Sequence, residues 1–133
     1  MKTCVVSVLV LSSWLVCGPV RADAVEDLLA EYRGLGGGPF QASAGEALWL
    51  TQHTQADGSR RSCTSCHTNE PRQPGRHNVT GRGIEPLAPS VNPRRLTERR
   101  EIEKWFKRNC KWTLGRECTV QEKGDLLAFL RHQ

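Results

Sequence analysis

A chain of 133 residues has room for one domain and not for two of ordinary size. Its formal net charge of +5 is unevenly placed, with 14 Lys/Arg against 5 Asp/Glu between Arg60 and Arg116. Such a surface can steer an acidic protein or an anion, against the plain alternative of a solvated basic face.

The first segment, MKTCVVSVLVLSSWLVCGPVRADA, has the layout of an export signal. Lys2 precedes an apolar run from Val5 to Val16, and small residues allow cleavage after Ala22, with Ala24 as second choice. A bilayer span takes about 20 apolar residues, so this run is too short to be one. Cys17 does not read as a lipoprotein site, because Trp14-Leu15-Val16 offers no small residue before it. The expectation is a signal peptide over residues 1–22 and a periplasmic domain over 23–133, with no membrane span after cleavage; a retained anchor is the rival. Export argues against nucleic acid as the partner of the basic region. It also leaves Cys63, Cys66, Cys110 and Cys118 in an oxidising compartment, where disulfides persist.

In chain order, the first predicted helix is Ala24–Arg33, where Val25, Leu28, Leu29 and Tyr32 share one face. A shorter helix over Ala42–Thr51 turns Ala47, Leu48 and Trp49 inward. Thr68–Pro93 is rich in Pro, Gly, Arg and Asn and has almost no apolar periodicity, so it reads as a long loop. Thr97–Asn109 carries the stripe Ile102, Trp105, Phe106. The last helix opens on Thr119-Val-Gln-Glu122, a capping-box pattern, and buries Leu126, Leu127 and Leu130. No segment alternates with period two, so the fold class is all-α, with about four short helices. A long loop and a thin core sit badly together in a compact domain unless a cofactor fills the centre.

The segment SCTSCH, residues 62–67, names that cofactor. A structural zinc site wants four ligands, and a thioredoxin-type dithiol wants a βαβ context, which this helical pattern lacks. Covalent haem needs two thiols at vinyl spacing and an adjacent imidazole. C-x-x-C-H therefore assigns Cys63 and Cys66 as thioether links to one haem c and His67 as the proximal ligand. Many small cytochromes put a Met on the other face of the iron. The sole Met here is Met1, inside the signal, so Met ligation is excluded. His53, His77 and His132 are the remaining imidazoles, all in polar settings. Asn109 continues the stripe of Ile102, Trp105 and Phe106; periodicity leaves two readings, an amide turned into the core or a left-handed residue closing the helix. Cys110 and Cys118 are the thiols left over, and an oxidising compartment should pair them beside Asn109.

CTSCH, the run from Gly81 to Glu98 (GRGIEPLAPSVNPRRLTE), EKWFKRNC, GREC and EKGDLLAFL together resemble the SHP-type cytochromes c, the sphaeroides haem protein group. The resemblance spans essentially the whole chain after the signal. It implies a class I cytochrome c fold around one covalently attached haem, with His67 and Asn109 as the two axial ligands and Cys110–Cys118 as the bridge. It also implies electrons supplied by a dihaem cytochrome c. An amide is a weak, hard, neutral donor, so ferric iron should hold Asn109 better than ferrous iron. The expected function is electron transfer with a site for O2, NO or CO that opens on reduction. The alternatives are a plain bis-His electron carrier using His53 or His77, and a haem enzyme consuming O2 or NO. The enzyme reading is disfavoured by the lack of an acid–base constellation in the sequence.

Overall fold

The computed structural model describes residues 23–133, so the signal-peptide expectation for residues 1–22 lies outside the described residues. Helix α1 is Ala24–Gly34, α2 Ala42–Leu50, α3 Thr64–His67, α4 Arg99–Leu114 and α5 Val120–Leu130. Two antiparallel ribbons lie in the connections: β1 (His53–Thr54) pairs with β2 (Arg60–Arg61), and β3 (Gly75–Arg76) with β4 (Gly83–Ile84). The all-α class stands. The ribbons escape a periodicity reading because two residues are too few to show alternation.

Each helix forms for a local reason. In α1 the Asp23 carboxylate accepts from Val25 N at 3.0 Å, Glu26 and Asp27 fill the first turn, and Arg33 sits in the last, all favourable to the helix dipole. Its buried face is Ala24, Val25, Leu28, Leu29 and Tyr32, as the spacing predicts. In α5 the capping box is complete: Thr119 Oγ1 accepts from Glu122 N at 3.1 Å, and the Glu122 carboxylate accepts from Thr119 N at 2.8 Å. Arg116 grips the same carboxylate at 2.6 and 2.8 Å, and that pairing above all holds the Glu122 pKa down to about 2. Thr119→Ala is therefore expected to cost about 1 kcal/mol, measured by chemical denaturation, with Thr119→Ser near wild type.

Expectations for α2 and α4 need correction. Trp49 and Gly45 are the buried residues of α2, Leu48 is half-buried, and Ala47 is exposed. Residues 45 and 49 lie one turn apart and define the contact line, which leaves 47 on the far side. The fourth helix starts later and runs five residues further than expected, ending at Leu114 with Gly115 in the left-handed conformation. Its buried line is Ile102, Cys110 and Thr113 with half-buried Phe106, while Trp105 is 43% exposed.

The core has two parts. Helix α1 packs on Ile102 and Leu127, and Trp49 packs on Leu126, Phe129 and Leu130. Leu96 and Phe106 touch both. A polar junction ties α1, α4 and α5: the Tyr32 hydroxyl donates to Glu103, and Lys123 donates to the same carboxylate at 2.8 Å. Burial, reinforced by Glu103, pushes the Tyr32 pKa well above its usual value. Burial alone would raise the Glu103 carboxyl too, but the bonds from Lys123 and Tyr32 outweigh it and hold it low. The long connection after α3 is organised by the β3–β4 ribbon and by Leu87 N and Ala88 N donating to Pro71 O at 2.9 and 3.1 Å.

Candidate haem site

Cys63 caps α3, and Cys66 and His67 lie within it. Ser62, fully buried, fixes the start of this turn: its N–H donates to Ser65 Oγ at 3.0 Å, and its hydroxyl sits 2.6 Å from Thr64 Oγ1. The turn ends at Thr68, whose φ of 62° and ψ of 173° are rare for a β-branched residue. Trp49 Nε1 donates to the Thr68 carbonyl at 3.1 Å and holds that turn from below. The Trp49 ring also lies 5.5 Å from the His67 imidazole and 6.1 Å from Phe129, so α2 and α5 together back the histidine.

Neither cysteine of the motif forms a disulfide among the described residues. Burial raises the Cys63 thiol to about 11, the opposite of the lowered pKa that a redox dithiol needs. Among the described residues no three His, Cys, Asp or Glu side chains converge as a zinc site requires. Burial, with a smaller contribution from Arg95, lowers His67 to about 4. The imidazole is thus neutral at physiological pH, with a lone pair to give to iron. Half-buried Leu48, Cys63, Leu87, Leu96 and Phe106 border the second core cluster and present an apolar edge beside these donors. Two thiols, one neutral imidazole and an apolar wall fit a covalently attached haem.

Asn109 lies inside α4, five residues before its end, so it does not close the helix. Nor is it buried; its side chain is exposed. It stands seven residues from Ile102, about 20° away around the helix, at the edge of the buried line. The adjacent Cys110 is bridged to Cys118, with Cα atoms 5.5 Å apart. The β1–β2 ribbon holds the same half of α4. Gln55 Nε2 donates to Thr113 O at 2.8 Å, and Arg61 donates to Trp112 O at 3.3 Å while its guanidinium lies 4.9 Å above the Trp112 ring.

The other histidines separate. His77 is exposed, and its Nδ1 accepts from Val79 N and Thr80 N at 3.3 and 3.2 Å. His132 is exposed. His53 is half-buried at the start of β1, and its Nε2 is buried with no hydrogen-bond partner among the described residues. Sequence reasoning missed the Gln55 and Arg61 clasp, since nothing in a polar loop announces which carbonyl it will meet. It also missed Gly75: a Cβ there would fall 2.1 Å from Cys66 O, so β3 lies directly on the haem-motif helix. The Pro74-Gly75 pair was the one available signal of that close approach.

A helical domain that presents C-x-x-C-H on a short turn backed by a buried Trp is a class I c-type cytochrome. Comparison with known proteins narrows this. The family model described as a domain of unknown function (DUF1924) matches residues 36–130. The chain is 41% identical over 127 residues to the cytochrome c-type protein SHP of Cereibacter sphaeroides, covering 94% of this chain and 97% of that protein. The solved structure of oxidised SHP, an oxygen-binding cytochrome c, aligns with a TM-score of 0.74 at 42% identity, over 82% of this chain and 96% of that one. The solution structure of cytochrome c'' from Methylophilus methylotrophus, described for the structural basis of its haem-ligand detachment, aligns with a TM-score of 0.72 at 31% identity, over 82% and 93%. The chain belongs to the SHP-type cytochrome c family, and its cofactor is one covalently attached haem c.

Proposed function

We propose that this monohaem cytochrome is a periplasmic electron acceptor whose distal site opens to a diatomic ligand when it is reduced. Cys63 and Cys66 would form the thioether links to the haem, and His67 would hold its iron. Asn109 would be the second protein ligand to the iron in the oxidised form. When bound, the haem would supply a redox-active iron able to take a diatomic ligand.

The observation that carries the reading is the position of Asn109, at the edge of the buried line of α4 and next to the Cys110–Cys118 bridge. No methionine competes for its place between residues 23 and 133. Its carboxamide oxygen is a hard, neutral donor that would suit ferric iron better than ferrous iron. Once released, the amide can instead donate a hydrogen bond to an incoming ligand, and distal donors of that kind help decide how O2 is held. An oxygen-binding relative and another described for haem-ligand detachment support both halves of this behaviour. By the same resemblance the electron donor is a dihaem cytochrome c.

One spectrum tests it. Anaerobic reduction followed by CO should give immediate stoichiometric binding; an unchanged low-spin ferrous spectrum would sink the proposal. The unpartnered Nε2 of His53 favours one second reading, a fixed bis-His electron carrier, which predicts no CO binding.

A further inference from the structure

Between Arg72 and Ile84 the chain carries Arg72, Arg76, His77 and Arg82 and no acidic residue. All four side chains are exposed, and none pairs with a carboxylate among the described residues. The flanking acids do not neutralise the three arginines. Glu85 is taken by Arg94 at 3.0 Å and by Asn92 at 3.2 Å, and the Glu70 carboxylate receives no side chain, only the backbone N–H of Arg72, at 3.4 Å. At the tip of the hairpin Val79 is 76% exposed, an apolar centre within this cationic rim.

The hairpin also touches the haem motif. Gly75 lies against the Cys66 carbonyl so closely that any Cβ would collide, and Asn78 Oδ1 is 3.6 Å from Cys66 Sγ. Arg76 Nη1 donates to Gly81 O at 3.0 Å and keeps the hairpin closed in this position. A protein seated on Val79 and the arginines is therefore within two residue contacts of Cys66.

We infer that the β3–β4 hairpin is the surface on which an acidic electron-transfer protein docks to reduce this cytochrome. The inference rests on the proposed electron-accepting role and adds the place and the charge of the partner. Electron-transfer encounters are small and brief, and they rely on opposed charge for orientation more than on buried area. A cationic rim around a single apolar residue suits that kind of contact. An unpaired rim also keeps its whole field, which an ion-paired basic face does not.

Stopped-flow reduction of the haem-loaded protein tests this, with reduced flavodoxin as the acidic donor and neutral reduced lumiflavin as the control. Arg72→Glu/Arg82→Glu spares Arg76 and its bond to Gly81. At low ionic strength this pair should slow flavodoxin about tenfold or more, with the difference fading by about 0.5 M salt, where the Debye length is only a few ångströms. The lumiflavin rate should not change. Lys107→Glu/Lys111→Glu makes the same charge change on exposed positions of α4 and should slow flavodoxin less than about threefold. Equal slowing by the two pairs would reduce the effect to net charge and overturn the docking site, as would no slowing by the hairpin pair. Loss of binding to phosphatidylglycerol vesicles with an unchanged flavodoxin rate would assign the hairpin to a membrane surface instead. The Asn109 reading is judged separately, by CO binding to the unsubstituted protein.

Discussion

Asn109→Ala is expected to turn the ferric protein from low-spin to high-spin at neutral pH, read directly in the visible spectrum. The effect is separable from misfolding on physical grounds. Asn109 is exposed in the interior of α4, and alanine is the better helix former there by about 0.5 kcal/mol. The helix should therefore survive the substitution, and any loss of stability would report the proposed iron–amide bond and not the fold of α4. Reduced Asn109→Ala should still bind CO, since on the proposed reading the ferrous site would already be open in the parent. His53→Ala is the counterpart. A ferric protein that stays low-spin without Asn109 and becomes high-spin without His53 would transfer the distal role to the histidine. His53 begins a ribbon that packs against α4, so its replacement is also expected to loosen the Gln55 and Arg61 contacts, which makes the alanine at 109 the cleaner measurement.

The second large effect is structural. Gly45→Ala should destabilise the fold by about 3 kcal/mol or more, although propensity alone would favour alanine by about 1 kcal/mol. A Cβ at 45 falls 2.1 Å from the Asp125 carbonyl oxygen and 2.9 Å from Phe129 Cβ, and the first of these is backbone. Helices α2 and α5 would have to separate, and Trp49, on the same face of α2, would draw away from His67 and Thr68. The melting temperature should fall on the order of 10–20 °C, with weaker retention of the low-spin spectrum on heating. Ala47→Glu, two residues away on the exposed side, should change stability by no more than about 0.5 kcal/mol. A Gly45→Ala protein as stable as its parent would mean that this helix crossing has slack the distances do not show.

These cases mark what the sequence could and could not say. The haem motif was legible because covalent attachment demands fixed residue types at fixed spacing. The first helix was legible because its apolar face repeats cleanly over three turns, and the last because Thr119 and Glu122 form a box that needs no tertiary partner. The inward face of α2 was misread at Ala47, since a glycine contact line carries no hydrophobic signal. The end of α4 was misread because Lys111, Trp112 and Thr113 look irregular in sequence. They continue the helix because Gln55 and Arg61 engage its last carbonyls. The order within the loop from Thr68 to Pro93 was invisible for a related reason: it comes from backbone bonds to Pro71 and from the seat of Gly75 on Cys66, neither of which has a composition.

The bridge from Cys110 to Cys118 bears on how fast a gate can work. It closes a ring between the end of α4 and the start of α5, immediately after Asn109, while Gln55 and Arg61 hold the carbonyls of Thr113 and Trp112 in the same stretch. Held twice, the backbone at 109 has little freedom to slide or unwind. If Asn109 gates the iron as proposed, the amide's excursion would reduce to rotation about its own side-chain bonds, a rotamer change that takes picoseconds to nanoseconds where nothing hinders it. Ligand entry after reduction would be paced by electron arrival and diffusion and not by a helix rearrangement.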